Sequence, residues 1–202
     1  MKSDNFFDYK RLFFDRWSNF YDVTLTTIFY QGIHQRLLQY VNLSADDFIL
    51  DLGCGTGKLL NRLGDKFPEI KGIGGDLSPE MLRQARANNR HHPRFIFTLA
   101  NACDLPFANH QFDAIFNTIS FLHYPNPELV FQEISRVLKP DGYFYLADYT
   151  SEKDVNIIPF SPGGIRFYSK TRREILGQNV GLSSIDHYYL LNGVVLTIFR
   201  KN

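Results

Sequence analysis

The segment Ile49-Leu50-Asp51-Leu52-Gly53-Cys54-Gly55-Thr56-Gly57 restricts what this 202-residue chain can fold into more than any other stretch. A short apolar run rich in Ile and Leu reads as a buried strand. It breaks at once into three glycines on alternate positions. Lys58-Leu59-Leu60-Asn61-Arg62-Leu63 then resumes with helical spacing. Glycine tolerates positive φ and lets a ligand approach the backbone where a Cβ would block it. Such a turn also delivers the ligand to the N-terminus of the next helix, where unpaired N–H groups point outward. The pattern is that of a nucleotide-type binding turn.

The residues beside the glycines narrow the ligand. A dinucleotide fingerprint, G-x-G-x-x-G, brings a pyrophosphate to the helix N-terminus. Here the third glycine comes one residue early, and Lys58 stands where that fingerprint has a glycine. Asp51, at the strand end, would repel a pyrophosphate but suits a ligand with an ammonium and a positive sulfur. S-adenosylmethionine carries both, with a carboxylate for the helix N-terminus. An NAD-type oxidoreductase is disfavoured on the same residues. The string "ILDLGCGTG" resembles motif I of the class I S-adenosylmethionine-dependent methyltransferases, which implies that Asp51, Gly53, Gly55 and Gly57 serve the cofactor.

The following elements extend this reading. Ile70–Gly75 is expected as a second strand ending at Asp76, about 20 residues past the glycines, where an acid meets ribose hydroxyls on a neighbouring parallel strand. Ser78 then reads as an N-cap, Pro79 as the first helical residue and Glu80 as an acid in the first turn. "GDLSPEML" resembles the family's second motif, which implies Asp76 and Leu77 at the cofactor and Met81 against the adenine. Arg94–Leu99 is expected as the third strand. In the loop after it many family members have Asp-Ala. This chain has Asn101-Ala102, whose amide oxygen can accept from the adenine amine; Asp104 is a second candidate for that bond. Phe112–Asn117 is the fourth expected strand. Its C-terminal edge opens on the ligand crevice and brings Asn117 and His123 toward it. The sequence there is not the Asn-Pro-Pro-Tyr type of base-methylating enzymes.

Pro127–Leu138 reads as an amphipathic helix, Lys139-Pro140-Asp141-Gly142 as a tight turn and Tyr143–Tyr149 as the fifth strand. "RVLKPDG" resembles the family's "RVLKPGG". Ser151–Tyr168 reads as a long loop of the kind that serves as lid or substrate contact. Ser169–Asn179 reads as a helix. Leu182–Leu191 and Val194–Arg200 read as strands joined by Asn192-Gly193, a strong hairpin signal. At the other end, Phe6–Val41 is expected to be helical. One stripe runs through Phe13, Trp17, Phe20 and Tyr21, and another through Ile28, Ile33, Leu37, Leu38 and Val41. "RWSNFYDVTL" and "FYQGIHQRLL" resemble the N-terminal region of the ubiquinone/menaquinone-biosynthesis C-methyltransferases, which implies that Tyr21-Asp22 lies near the cofactor.

The expected fold is α/β: a Rossmann-like, mostly parallel seven-stranded sheet with helices on both faces. The resemblance implies strand order 3-2-1-4-5-7-6 in a single domain over residues 1–202. That domain divides into a helical cap (1–44), a cofactor core (45–150) and a C-terminal loop, helix and hairpin (151–202). With 19 Phe and 11 Tyr, disorder is excluded, and a net charge of +1 gives no field for nucleic acid. The basic cluster Arg83, Arg86, Arg90, His91, His92 and Arg94 fits a solvated face. The two cysteines, Cys54 and Cys103, are too few for a zinc or disulfide framework and argue against an arsenic-methyltransferase type. No signal-peptide core or membrane-spanning run is present in the sequence, so a cytoplasmic protein is expected.

Methyl transfer from a sulfonium is an in-line displacement with an activated donor, so neither a triad nor a metal site is required. A small, partly apolar acceptor, quinol-like and methylated on carbon or oxygen, is expected. His123 is the candidate base for its proton, or else a structural histidine bonded to a nearby backbone group, with Tyr21, Tyr124 and Tyr168 behind it. A non-catalytic S-adenosylmethionine-binding protein on the same fold is the alternative.

Overall fold

The computed structural model describes residues 8–13, 15, 24–158 and 164–202. Trp17, Phe20, Tyr21 and Asp22 lie outside the described residues. Residues 8–13 are helical. The elements that follow are α1 (Thr24–Leu37), β1 (Phe48–Leu52), α2 (Lys58–Lys66), β2 (Lys71–Asp76), α3 (Pro79–Asn88), β3 (Phe95–Leu99), β4 (Phe112–Thr118), α4 (Pro127–Val137), β5 (Leu138–Tyr149), β6 (Val155–Ile158), β7 (Ile165–Phe167), α5 (Lys170–Gln178), β8 (Leu182–Leu191) and β9 (Val194–Lys201).

Seven strands form one sheet in the order β3-β2-β1-β4-β5-β9-β8, and β6 and β7 pair separately. With that small ribbon left out of the count, the last two strands are the sixth and seventh, and the order is the expected 3-2-1-4-5-7-6. Strands β1 to β5 run parallel, whereas β9 is antiparallel to both β5 and β8. The order reverses at β1, between β2 and β4. At such a switch point the adjacent loops diverge and leave a crevice at the carboxyl ends of the strands.

The apolar side chains sort by strand alternation into two cores. Ile49, Ala114 and Phe116 pack with Leu59, Leu63, Leu82, Ile33 and Leu37 from α1, α2 and α3. Leu50, Leu52 and Ile115 pack with Val130, Phe131, Ile134 and Leu176 from α4 and α5 on the other face. Because side chains alternate along a strand, Asp51 shares the α1–α3 face with Ile49.

Local signals place the helix ends. Ser78 Oγ accepts from the Met81 N–H at 3.1 Å with Pro79 behind it, and Ser169 Oγ accepts from Arg172 N–H at 3.2 Å. Asn192 (φ 46°) and Gly193 (φ 82°) both take the left-handed conformation that a two-residue type I′ hairpin demands.

Four expectations change. Lys139–Gly142 is the start of β5 rather than a free turn. Leu138 pairs with Phe112, the register then shifts, and Tyr143 pairs with Ala114. The excursion is pinned by Lys139 Nζ on the Asp113 carboxylate (2.7 and 2.8 Å), with Asp141 at φ 64°. Ser151–Tyr168 is not all loop: β6 and β7 make an antiparallel ribbon, whose strands are too short for a periodicity to register. In the helical stripe of α1, Ile28 is 60% exposed while Ile33 and Leu37 are buried. The basic cluster is only partly a solvated face. Arg94 ties the Gly64, Phe67 and Ile70 carbonyls, and Arg86 caps the outer carbonyl of Phe97.

Candidate active site

A cavity of about 450 Å3 opens at the carboxyl ends of β1, β2, β4 and β5, within the range of small-molecule sites. Its floor is the glycine turn. Gly53 and Cys54 donate N–H groups to the Gly75 carbonyl at 2.7 and 3.1 Å, which ties the turn to the end of β2. Gly53 takes φ +74°, and a Cβ there would stand 2.4 Å from Ser120 Oγ, so no other residue fits. Gly55 is the reverse case. Its Cβ would meet nothing within 4 Å, because that position faces the open cavity.

Asp76 faces the cavity from the end of β2. Its carboxylate accepts the Gly55 N–H at 2.8 Å and the Ser78 N–H at 2.9 Å, so the acid and the glycine turn hold each other in place. Burial raises its pKa, and these two amide bonds oppose the rise. Leu77, Met81, Asn101 and Ala102 line the same wall, as the motifs imply. Asn101 Oδ1, however, already accepts the Cys103 N–H at 3.0 Å, so the atom meant for the adenine amine also holds its own loop. Asp104 is not on the cavity wall.

Three of the expected cofactor residues do not form that wall. Asp51 is 1% exposed and lies beneath the turn, on the α1–α3 side. Neither of its carboxylate oxygens has a hydrogen-bond partner. Burial, and next the charge of Asp76, push its pKa up to about 8. Gly57 caps α2 in the left-handed conformation (φ +76°) with its Cβ position against Phe97, a packing role. Asn117 is fully buried. Its Nδ2 donates to the Leu52 carbonyl (2.9 Å) and to Tyr124 Oη (3.0 Å), so it supports the turn from below. Tyr21 lies outside the described residues. Strand alternation accounts for Asn117: from β4 it reaches the backbone of β1, its neighbour in the sheet.

His123 does lie on the cavity wall, in the short helical turn Phe121–His123 after β4. Burial, with a smaller contribution from the Lys10 charge, lowers its pKa to about 3. It is therefore neutral across the physiological range, able to hydrogen-bond but a weak proton acceptor. The backbone of this turn is anchored by the Asp148 carboxylate, which accepts the Leu122 N–H at 3.0 Å. Tyr124 is held by Ser120 and Asn117, and burial raises its pKa further above the ordinary phenol value. Burial also pushes the Tyr168 phenol up, to about 12, and Tyr168 is not on the wall.

Several wall residues were given no role by the sequence: Lys10, Phe29, Tyr30, Ile119, Tyr149 and Phe167. They come from segments far apart in the chain. Ile119 is the one with visible strain, a β-branched residue at φ 49° whose N–H is fixed on the Ala147 carbonyl at 2.9 Å. Lys10 lines the cavity, and Asp15 lies near its rim. Asp15 accepts from Ser78 Oγ and, at 3.4 Å, from the Glu80 N–H, while Lys10 Nζ reaches the Gly164 carbonyl at 3.3 Å.

The arrangement fits S-adenosylmethionine in three ways. The space over Gly55 is one a Cβ would fill, Asp76 faces that space, and Asp51 beneath the turn adds a second negative charge once a cation above it draws off its proton. That arrangement favours a cationic ligand over a pyrophosphate. Among the described residues no helix is long and apolar enough to cross a membrane, and no cluster of His, Cys, Asp or Glu could hold a metal.

Comparison with known proteins gives the same assignment. Residues 50–146 match the methyltransferase domain family. Malonyl-[acyl-carrier protein] O-methyltransferase of Hahella chejuensis is 41% identical over 96 residues, covering 46% of this chain and 33% of that protein. Ubiquinone/menaquinone biosynthesis C-methyltransferase UbiE of Desulfotalea psychrophila is 29% identical over 182 residues, 88% of this chain and 71% of that protein. The methyltransferase solved in complex with the Haloferax volcanii Trm112 methyltransferase activator superposes with a TM-score of 0.80 at 22% identity, over 93% of this chain and 96% of that one. The chain spans 33–48% of the length of several curated relatives that it matches. Fold, turn chemistry and relatives agree: residues 50–146 match a methyltransferase domain, and the chain is similar to the class I S-adenosylmethionine-dependent methyltransferases.

Proposed function

We infer that this protein transfers the methyl group of S-adenosylmethionine to a small, partly apolar acceptor, on carbon or oxygen and of quinol-like character. The observation that carries this reading is the make-up of the cavity. One wall is the donor's, from Gly53 and Gly55 to Asp76, Met81 and Asn101. The other is mainly apolar and aromatic, with Phe29, Tyr30, Ile119, Leu122, Tyr149 and Phe167. A flat, basic surface for a polymer would look quite different.

Bound S-adenosylmethionine supplies an electrophilic methyl group, so the chain's own residues have mainly to align and to exclude water. Asp76 holds the ribose hydroxyls, and Asn101 and Ala102 with Met81 hold the adenine. Asp51, ionised when a cation lies above it, offsets the positive charge through the turn. Phe29, Tyr30 and Phe167 bound the acceptor and keep the reacting centre dry. His123 offers the acceptor a hydrogen bond from its neutral ring. The relatives include a malonyl-[acyl-carrier protein] O-methyltransferase and a ubiquinone/menaquinone biosynthesis C-methyltransferase, and a small apolar acceptor is compatible with the second.

The test incubates the protein with methyl-labelled donor and a small-molecule extract of its source. A labelled small product supports the reading. Donor binding without any labelled product would contradict it and would favour a non-catalytic donor-binding protein.

A further inference from the structure

The first glycine of the turn is closed over by the chain's own hydroxyls. A Cβ on Gly53 would stand 2.4 Å from Ser120 Oγ and 2.9 Å from Tyr124 Oη, so both oxygens lie directly against it. Ser120 and Tyr124 also line the cavity. Asp51, the acid that the motif offers to a cation, does not: it is buried beneath the turn. The direct contact for a cation beside Gly53 has therefore to come from another group.

The hydrogens around Tyr124 can be counted. The two amide hydrogens of Asn117 go to the Leu52 carbonyl at 2.9 Å and to Tyr124 Oη at 3.0 Å. Ser120 Oγ lies 3.3 Å from the Leu52 carbonyl and 3.1 Å from Tyr124 Oη. Its single hydrogen serves one of the two, which leaves two arrangements. If Ser120 donates to Leu52, the Tyr124 hydrogen turns onto Ser120 Oγ, and Oη keeps a lone pair that the network does not use. If Ser120 donates to Tyr124 instead, Oη accepts twice and its own hydrogen is sent outward. A cation beside Oη selects the first arrangement and an anion the second. The surrounding charge favours the cation. Burial raises the Tyr124 phenol above its ordinary value, and the carboxylates of Asp76 and Asp148 raise it further. The phenol therefore keeps its proton and offers a neutral oxygen in a negative field.

We propose that Tyr124 Oη, oriented by Asn117 and Ser120, accepts a hydrogen bond from the ammonium group of the methyl donor, while Asp51 acts on that charge only through the turn. This rests on the methyl-transfer reading above. Sheet order gives the direction in which the donor lies. Asp76, Met81 and Asn101 hold its adenosine on the β2 and β3 side of β1, whereas Tyr124 follows β4, on the other side. A ligand that starts at Asn101 and crosses Gly55 and Gly53 brings its amino-acid end to Tyr124. Of the groups at that end, the carboxylate is opposed by the same negative field. The sulfonium has no N–H or O–H to donate. The ammonium has three.

The test compares two ligands that differ by that group alone: S-adenosylhomocysteine, and 5′-S-(3-carboxypropyl)thioadenosine, which is the same molecule without its amino group. Both are titrated by calorimetry into wild type, Tyr124→Phe and Ser120→Ala. Tyr124→Phe keeps the ring edge-on to Phe121 (5.9 Å, 88°) and removes Oη. It should weaken S-adenosylhomocysteine about tenfold or more, the loss expected for a hydrogen bond to a charged group, and leave the analogue within about twofold. Ser120→Ala lets the Tyr124 hydrogen turn outward and should act in the same sense by a smaller factor. A general loosening of the turn would weaken both ligands equally, so the ratio of the two affinities separates contact from scaffold. If S-adenosylhomocysteine fails to bind the wild type, the methyl-transfer reading itself falls. If it binds, three results overturn the role of Tyr124: an analogue as tight as S-adenosylhomocysteine in wild type, an unchanged S-adenosylhomocysteine affinity in Tyr124→Phe, or an equal loss of both ligands there. Should Tyr124→Phe not fold, an unchanged ratio in Ser120→Ala overturns it.

Discussion

Replacing Asp51 by asparagine should make the ligand-free protein more stable at neutral pH and worse at binding its donor. The carboxylate is buried with both oxygens unpartnered, and its pKa is raised from 3.8 to about 8. An acid with a raised folded-state pKa contributes stability that is complete below its unfolded pKa and is lost as pH rises through the folded one. For Asp51 that window runs from about pH 4 to about pH 8. Integrated between pH 5 and pH 8, the loss is roughly 3–4 kcal/mol. The amide does not titrate, so the stability of Asp51→Asn relative to wild type should climb by about that amount over the same interval. Urea unfolding at pH 5, 6, 7 and 8 without ligand measures the difference directly. A difference that stays flat, or that falls toward pH 8, would refute the claim that Asp51 is an uncompensated buried acid. Such an acid makes sense if a cation seated above the turn relieves it, which is a familiar exchange of stability for function.

The donor wall yields three sharper tests. Asp76→Ala removes a charged acceptor and orphans the Gly55 and Ser78 amides; donor affinity should drop by about 1.5–3 kcal/mol, read by calorimetry. Gly55→Val should still fold, because its Cβ position is open. It should lose donor binding, since the branched side chain both fills the cavity and strains a residue at φ +51°; circular dichroism and titration together check this. Asn101→Asp keeps an oxygen for the Cys103 N–H and adds a second, charged one for the adenine amine, so affinity should hold or improve. A large loss would show that the adenine amine is not bound there.

The parallel core was legible because each of its parts is specified within a few residues. An apolar run followed by alternate glycines defines β1 and its turn, Ser78-Pro79 starts α3, and Asn192-Gly193 closes the last hairpin. The failures share a different cause. Asn117 ends β4 and is therefore expected at the crevice, yet the pairing of β4 with β1 turns it onto the Leu52 carbonyl. Asp51 precedes the glycines in sequence, but strand alternation sends its side chain under the turn rather than into the cavity. Lys10, Phe29, Tyr30 and Phe167 meet only because distant segments fold over one site, and no local pattern encodes such a meeting. The ribbon β6–β7 is too short for its periodicity to stand out from a loop rich in proline and glycine.

Calorimetric titration of the protein with S-adenosylmethionine, S-adenosylhomocysteine and NAD most directly tests whether this turn and its two acids form a methyl-donor site. Both sulfur ligands should bind, and NAD should give no heat beyond dilution, because Asp51 is relieved by a cation above the turn and not by a pyrophosphate. Tighter binding of NAD than of either sulfur ligand would contradict the assignment of the cavity.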